Sequence, residues 1–233
     1  MHTATPDALL NTAIGQIAVH LPGATAVFRR CKLDFCCGGQ VSLQAACDQK
    51  GLEAAEVLRQ LAPLQRQDLA APDARDPAAL IDHILTRYHS VHREQLPELI
   101  RMARRVEAVH RDHPAVPAGL ADLLQAMETE LLDHMEKEEQ VLFPAMERAM
   151  PGVSGPISVM RDEHTGHGAL LERLAALTTE HSPPPGACNT WRALYAGTAQ
   201  LTDDLISHIH LENNVLFPCF EANGSSGSTC RCS

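Results

Sequence analysis

Between residues 120 and 145 the buried-type positions recur at alternating steps of four and three: Leu120, Leu124, Met127, Leu131, then His134 and Glu138, then Val141 and Ala145. That alternation is the seam of an amphipathic helix packed in a bundle. It returns further on as Leu194, Thr198, Leu201, Leu205, His208, Glu212, Val215 and Cys219. Each seam carries a histidine and a glutamate at consecutive core positions. Each ends on V-L-F-P, in HMEKEEQVLFP at 134–144 and HIHLENNVLFP at 208–218. Residues i and i+4 share a helix face, so imidazole and carboxylate point inward together.

Two more helical patterns complete the set. His89-x2-His92 precedes the first seam and His164-x2-His167 precedes the second. His164 follows His89 by 75 residues and His208 follows His134 by 74, so the second hairpin repeats the first. Two helical hairpins predict an all-α chain whose main body, residues 77–222, is an antiparallel four-helix bundle. Asp76 is placed to cap the first helix, with Pro77 at its first position. Connections fall near 111–117, 150–156 and 182–187. The four histidines lie at similar distances from these turns. At roughly 1.5 Å rise per residue the mismatches amount to a few ångströms, so one layer receives a histidine from every helix. A small helical domain, 1–65, precedes the bundle, joined through the proline-containing stretch APLQRQDLAAPDARDP at 62–77. The Gly/Ser-rich segment 223–233 reads as a flexible tail.

Composition narrows the function classes. A formal charge of −10 argues against nucleic-acid or anionic-membrane partners, which select basic surfaces. Aromatics make up only 3% of the chain, which favours helices over a sandwich or barrel. No run of about 18 apolar residues exists, so no membrane span is expected. The first twenty residues lack a basic start and a continuous apolar stretch, so no signal peptide is expected and the setting is read as cytoplasmic. Eight cysteines in such a setting read as thiols, ligands or redox groups rather than a disulfide framework.

A carboxylate buried in a seam without partners costs several kcal/mol, about enough to exclude it unless something compensates. The bland alternative is a set of core histidines in buried ion pairs. Repetition and convergence on one layer favour metal ligation instead. Four imidazoles supply four bonds and two bridging glutamates four more. Two octahedral metals need about twelve, which leaves up to four positions for water, a bridge or a small ligand. Mixed nitrogen and oxygen donors with open positions suit non-haem iron better than a closed structural zinc site. From spacing alone, His92 and His167 compete with His89 and His164. His210 is read as a surface residue and Glu139 as solvated. Glu130 and Glu163 are candidates for acids that orient a ligand or relay protons.

The segments RYHSVHREQLPELI, HMEKEEQVLFP, GPISVMRDEH, HIHLENNVLFP and LDFCCGG together resemble the repair-of-iron-centres family of the ScdA/YtfE type, whose bundle is haemerythrin-like. The resemblance implies a di-iron centre of two iron ions held by His89, His134, Glu138, His164, His208 and Glu212. It implies a role in repairing iron–sulfur clusters damaged by nitrosative or oxidative stress. Damaged iron–sulfur proteins would be the partners, and nitric oxide or dioxygen the small ligand, bound or reduced at the centre. Cys36 and Cys37, in DFCCGG, become redox candidates. Their place before the helix of VSLQAACDQ would favour the thiolate, whereas residues alone allow two structural cysteines in a tight turn. Cys31 and Cys47 are read as structural, and Cys230 and Cys232 as incidental. A homodimer is a further expectation. The rival readings are a haemerythrin-like sensor or store for dioxygen or nitric oxide, and a di-iron oxidase. The latter would call for Glu-x2-His, which is absent at these positions.

Overall fold

The computed structural model describes residues 6–21, 24–35, 38–62 and 76–221. Expectations for Cys36, Cys37, the linker and residues 223–233 therefore lie outside the described residues. Among those described the chain is helical, and an isolated bridge pairs Ala13 with Ser42. No described helix is long and apolar enough to cross a membrane. The chain divides into two compact units, one of residues 81–205 and one of 1–80 with 206–233.

In the unit of residues 81–205 the polypeptide enters from helix α6 (Pro77–Ile84), whose cap is Asp76: its Oδ1 accepts from the Ala79 amide at 3.1 Å. After a π-helical turn, Leu85–His89, the chain continues as α7 (Ser90–Val109). Helix α8 (Leu120–Lys137) returns, passes through a second π turn, Glu138–Leu142, and ends in α9 (Phe143–Glu147). Helix α10 (Ser154–Leu177) and α11 (Asn189–Leu211) form the second hairpin. Neighbours are fixed by specific contacts. Glu107 on α7 accepts from the Ala121 amide that opens α8, at 3.1 Å. His134 on α8 meets His164 on α10. Gln95 on α7 donates to the Gly197 carbonyl of α11, where an added Cβ would stand 2.6 Å from Leu99. A larger residue there would have to displace the Leu99 side chain, a mark of how closely the two helices approach.

The connection after α10 begins earlier than its sequence suggests. Thr179, Glu180 and His181 all have positive φ, of 51°, 54° and 58°. Non-glycine residues there cost about 1–2 kcal/mol each. The His181 ring offsets part of this: its Nδ1 lies 3.2 Å from Thr178 Oγ1 and 3.0 Å from Thr198 Oγ1, with Thr202 Oγ1 3.3 Å from Nε2.

The other unit holds α1 (Pro6–Asn11), α2 (Ile14–His20), α3 (Ala24–Arg30), α4 (Leu43–Lys50) and α5 (Ala54–Leu61) around an apolar core that includes Ile17, Phe28, Phe35, Leu43 and Leu61. To it belong residues 206–221: the end of α11, a third π turn at Glu212–Leu216, and α12 (Pro218–Glu221). Ile206 packs on that core. Helix α4 starts at Leu43, with Ser42 Oγ capping the Ala45 amide at 3.2 Å. The helix start is thus several residues past the cysteine pair, and its amides at Leu43 and Ala45 already have acceptors in the Thr12 carbonyl and Ser42 Oγ. Burial pushes the thiols of Cys31 and Cys47 up, against ready ionisation.

Candidate metal centre

Both V-L-F-P repeats become π-helical immediately after the ligand histidine's turn. The wider turn runs from Glu138 to Leu142 and from Glu212 to Leu216, and a proline follows two residues later in each, Pro144 and Pro218. A proline removes one backbone donor and its ring crowds the carbonyl four residues back. A π turn just ahead of it spaces the backbone differently and places an extra residue per turn, a device that recurs at functional sites. The extra residue rotates the remainder of the helix about its axis. Val141, expected in the seam, is 59% exposed, and Leu142, Phe143 and Met146 are buried in its place. Cys219 is correspondingly half-buried rather than in the core.

The six expected donors are all buried. They fall into two groups whose donor atoms lie within 4.8 Å of one another: His89, Glu138, His208 and Glu212, and His134, His164, Glu138 and Glu212. Both glutamates belong to both groups. Glu138 Oε2 stands 3.4 Å from His89 Nε2 and 3.4 Å from His134 Nε2. His164 Nε2 and His134 Nε2 face each other at 3.1 Å, and His208 Nε2 is 3.0 Å from Glu212 Oε1. This donor set fits a pair of divalent or trivalent cations. Two carboxylates and four imidazoles converge in a dry interior, with each cation offered two nitrogens and both carboxylates. His92 and His167 are also buried but join neither group. The His167 ring instead meets the His134 ring edge-on at 4.8 Å, and His92 stacks near Tyr88.

Around these donors lies a second layer. His134 Nδ1–H donates to Glu163 Oε2 at 2.9 Å, and Glu163 Oε1 accepts from Lys137 at 2.6 Å. His89 Nδ1–H donates to Glu139 Oε1 at 2.7 Å, and Glu139 is bound by both Arg93 nitrogens at 2.8 and 3.0 Å. In each case the hydrogen bond fixes the tautomer that leaves Nε2 as the bare donor. Burial raises the Glu139 carboxyl, but the bonds from Arg93 and His89 outweigh it and hold the group ionised below its usual range. Hydrogen bonds to Asp133 and Glu163 raise the Lys137 ammonium.

Three sequence expectations need correction. Glu139 is not solvated: the π turn brings the residue after Glu138 round to His89. Glu130 stands exposed, because the seam runs through Leu131 and Met127 and leaves the position four before His134 at its edge. His210 is no surface residue, being 4% exposed. Its Nδ1–H donates to the Phe35 carbonyl at 3.3 Å, and burial drives its pKa down to about 4, so the ring is neutral near pH 7. The signal was present in the repeat itself. Where HMEKEEQVLFP has Glu136, Lys137 and Glu139 around its outer side, HIHLENNVLFP has His210, Leu211 and Asn213.

Comparison with known proteins accords with this geometry. The family model described as the hemerythrin HHE cation binding domain matches residues 80–220. A second model, ScdA_N, described as a domain of unknown function (DUF542), matches residues 10–65. The iron-sulfur cluster repair protein YtfE of Citrobacter koseri is 48% identical over 207 residues, covering 88% of this chain and 94% of its own length. That of Cronobacter sakazakii is 49% identical over 211 residues, with the same coverage. That of Escherichia coli O8 is 48% identical over 207 residues. The cofactor of the bundle is a di-iron centre. The chain belongs to the haemerythrin family, and within it to the group in which an ScdA_N segment precedes the bundle, as in the YtfE proteins.

Proposed function

We propose that this protein acts in the repair of iron–sulfur clusters damaged by nitrosative and oxidative stress, with its di-iron centre held by His89, His134, Glu138, His164, His208 and Glu212. The observation that carries the reading is the pair of buried donor groups sharing Glu138 and Glu212, in a chain 48% identical to proteins named for cluster repair. Bound there, a pair of iron ions supplies one-electron chemistry and exchangeable ligand positions. The residues around them do the rest. Glu163 and Glu139 hold His134 and His89 in the tautomer that presents Nε2. Lys137 holds Glu163 in place, and Arg93 holds Glu139 in place and ionised. The Phe143 ring, stacked on His89 with centroids 5.9 Å apart, restricts water on that side.

In this reading the small ligand is nitric oxide or dioxygen, the macromolecular partners are damaged iron–sulfur proteins of the cytoplasm, and Cys36 and Cys37 are the redox pair. Residues 1–65 form the thiol-bearing domain and 77–222 the iron-bearing one, a division supported by the two family matches. The test mixes the reduced, iron-loaded protein with an iron–sulfur enzyme inactivated by nitric oxide and follows recovered activity. Recovery in the parent, lost in a Glu138→Ala/Glu212→Ala double variant, is expected. A protein that binds nitric oxide and restores nothing would be a sensor or store instead. A Cys36→Ser/Cys37→Ser variant that restores as well as the parent would remove the thiols from the mechanism.

A further inference from the structure

The end of α11 and the π turn after it, which supply His208 and Glu212, are buried on two sides. One side carries the donors. The other carries Ile206, His210 and Asn214, spaced four apart, and this side faces the N-terminal helices of the same compact unit. Ile206 packs on their apolar core. The His210 ring meets Phe35 edge-on, with centroids 5.3 Å apart, and its Nδ1–H reaches the Phe35 carbonyl. Its Nε2 has no hydrogen-bond partner among the described residues, so the ring's polar contribution is made through Nδ1. Nδ1 also has Asn214 Nδ2 at 3.1 Å, and its proton is assigned to the Phe35 carbonyl because that oxygen can only accept. The Asn214 amide donates to the His210 carbonyl at 3.2 Å, and its Oδ1 lies 3.3 Å from where a Cβ on Gly15 would stand.

The same few residues bind both ends of the D-F-C-C-G-G segment. Gly15 N–H donates to the Gly39 carbonyl at 2.9 Å, Asp34 Oδ2 accepts from Gly38 N–H at 3.0 Å, and a Cβ on Gly39 would collide with the Phe35 carbonyl. Phe35 is the residue before the two cysteines, and its carbonyl belongs to the peptide group that begins them. The hydrogen bond from His210 therefore joins that peptide group to a residue standing midway between two metal donors.

We propose that His210 is a positioning residue that seats Phe35, and with it the residues flanking the vicinal cysteines, on the back of the ligand segment, so that these flanks and the donors His208 and Glu212 move as one body. The use of this seat rests on the proposed thiol role, but its existence does not, and the two are tested separately.

The experiment is amide hydrogen exchange on the full, iron-loaded chain, comparing the parent with His210→Gln and His210→Glu, the latter copying Glu136 of the other repeat. Gln keeps a donor for the Phe35 carbonyl, whereas Glu buries an acceptor-only charge. Amides in 14–43 are expected to exchange at least tenfold faster in His210→Glu, stay near parental in His210→Gln, and leave those in 120–135 unchanged. Extraction of iron by a chelator is expected to quicken in the Glu variant alone. Unchanged exchange of 14–43 in His210→Glu, or His210→Gln behaving like it, overturns the proposal. Should His210→Glu unfold the whole chain, His210→Ala decides by the same comparison of 14–43 with 120–135. A chain that shows the expected exchange pattern but repairs no cluster keeps the seat and loses the proposed function.

Discussion

HMEKEEQVLFP and HIHLENNVLFP carry the same donors, the same π turn and the same proline, yet they live in different surroundings. Around the first, Glu136, Lys137 and Gln140 are exposed, and Glu139 is drawn in only as far as His89. Around the second, every residue from His208 to Asn213 is buried. One copy is a helix with a metal face and a water face. The other has a metal face and a face covered by the helices of residues 6–61. Duplication preserved what the cations need, and the outer side diverged with what covers it.

The largest effects are expected where the two copies agree. Because Glu138 and Glu212 each belong to both donor groups, Glu138→Ala and Glu212→Ala should be equally severe, with iron falling from two to below one per chain. His89→Ala touches one group and should leave about one iron. Metal analysis of the three variants checks this, and unequal glutamate variants would break the symmetry between the copies.

Next come effects where the copies differ. His210→Glu places a carboxylate in a covered face and is expected to cost its own compact unit, residues 1–80 with 206–233, about 3 kcal/mol of unfolding free energy. The reciprocal Glu136→His lies in water and should stay within about 0.5 kcal/mol. Denaturant titration reads both. Smaller again is the second layer. Glu139→Gln and Glu163→Gln should each weaken iron affinity by about 10–100-fold, as removal of a carboxylate from a ligating histidine does. Chelator competition measures it. The smallest difference lies at the valine of each repeat. Val141→Lys should be nearly silent, within about 0.5 kcal/mol, whereas Val215→Lys, in the buried copy, should cost about 2 kcal/mol.

The bundle and the convergence of buried histidines and glutamates were legible because a repeated polar pair in a hydrophobic seam has few physical explanations. Alternating steps of four and three located His134, Glu138, His208 and Glu212, whereas the offset between copies located only the pairs His89/His92 and His164/His167, and the family resemblance pointed to the first of each. What was not legible traces to departures from an ideal helix. A period of 3.6 kept Val141 in the seam and turned Glu139 to water, but a π turn adds a residue and reverses both. Likewise Thr179–His181 have a composition that any helix end could share, and only the side-chain ring around His181 explains why they wind left-handed. His210 was missed because its neighbours in space are 175 residues away in sequence. The absence of charge around it, set against its copy, was the available clue.

In the proposed centre two cations would share Glu138 and Glu212. Iron titration of the metal-free protein, followed by magnetic measurement of the oxidised product, addresses this sharing directly. Saturation at two iron ions per chain is expected, with an exchange-coupled pair that shows little paramagnetism at low temperature. Saturation at one, or two ions that behave as magnetically independent sites, would contradict a centre bridged by Glu138 and Glu212.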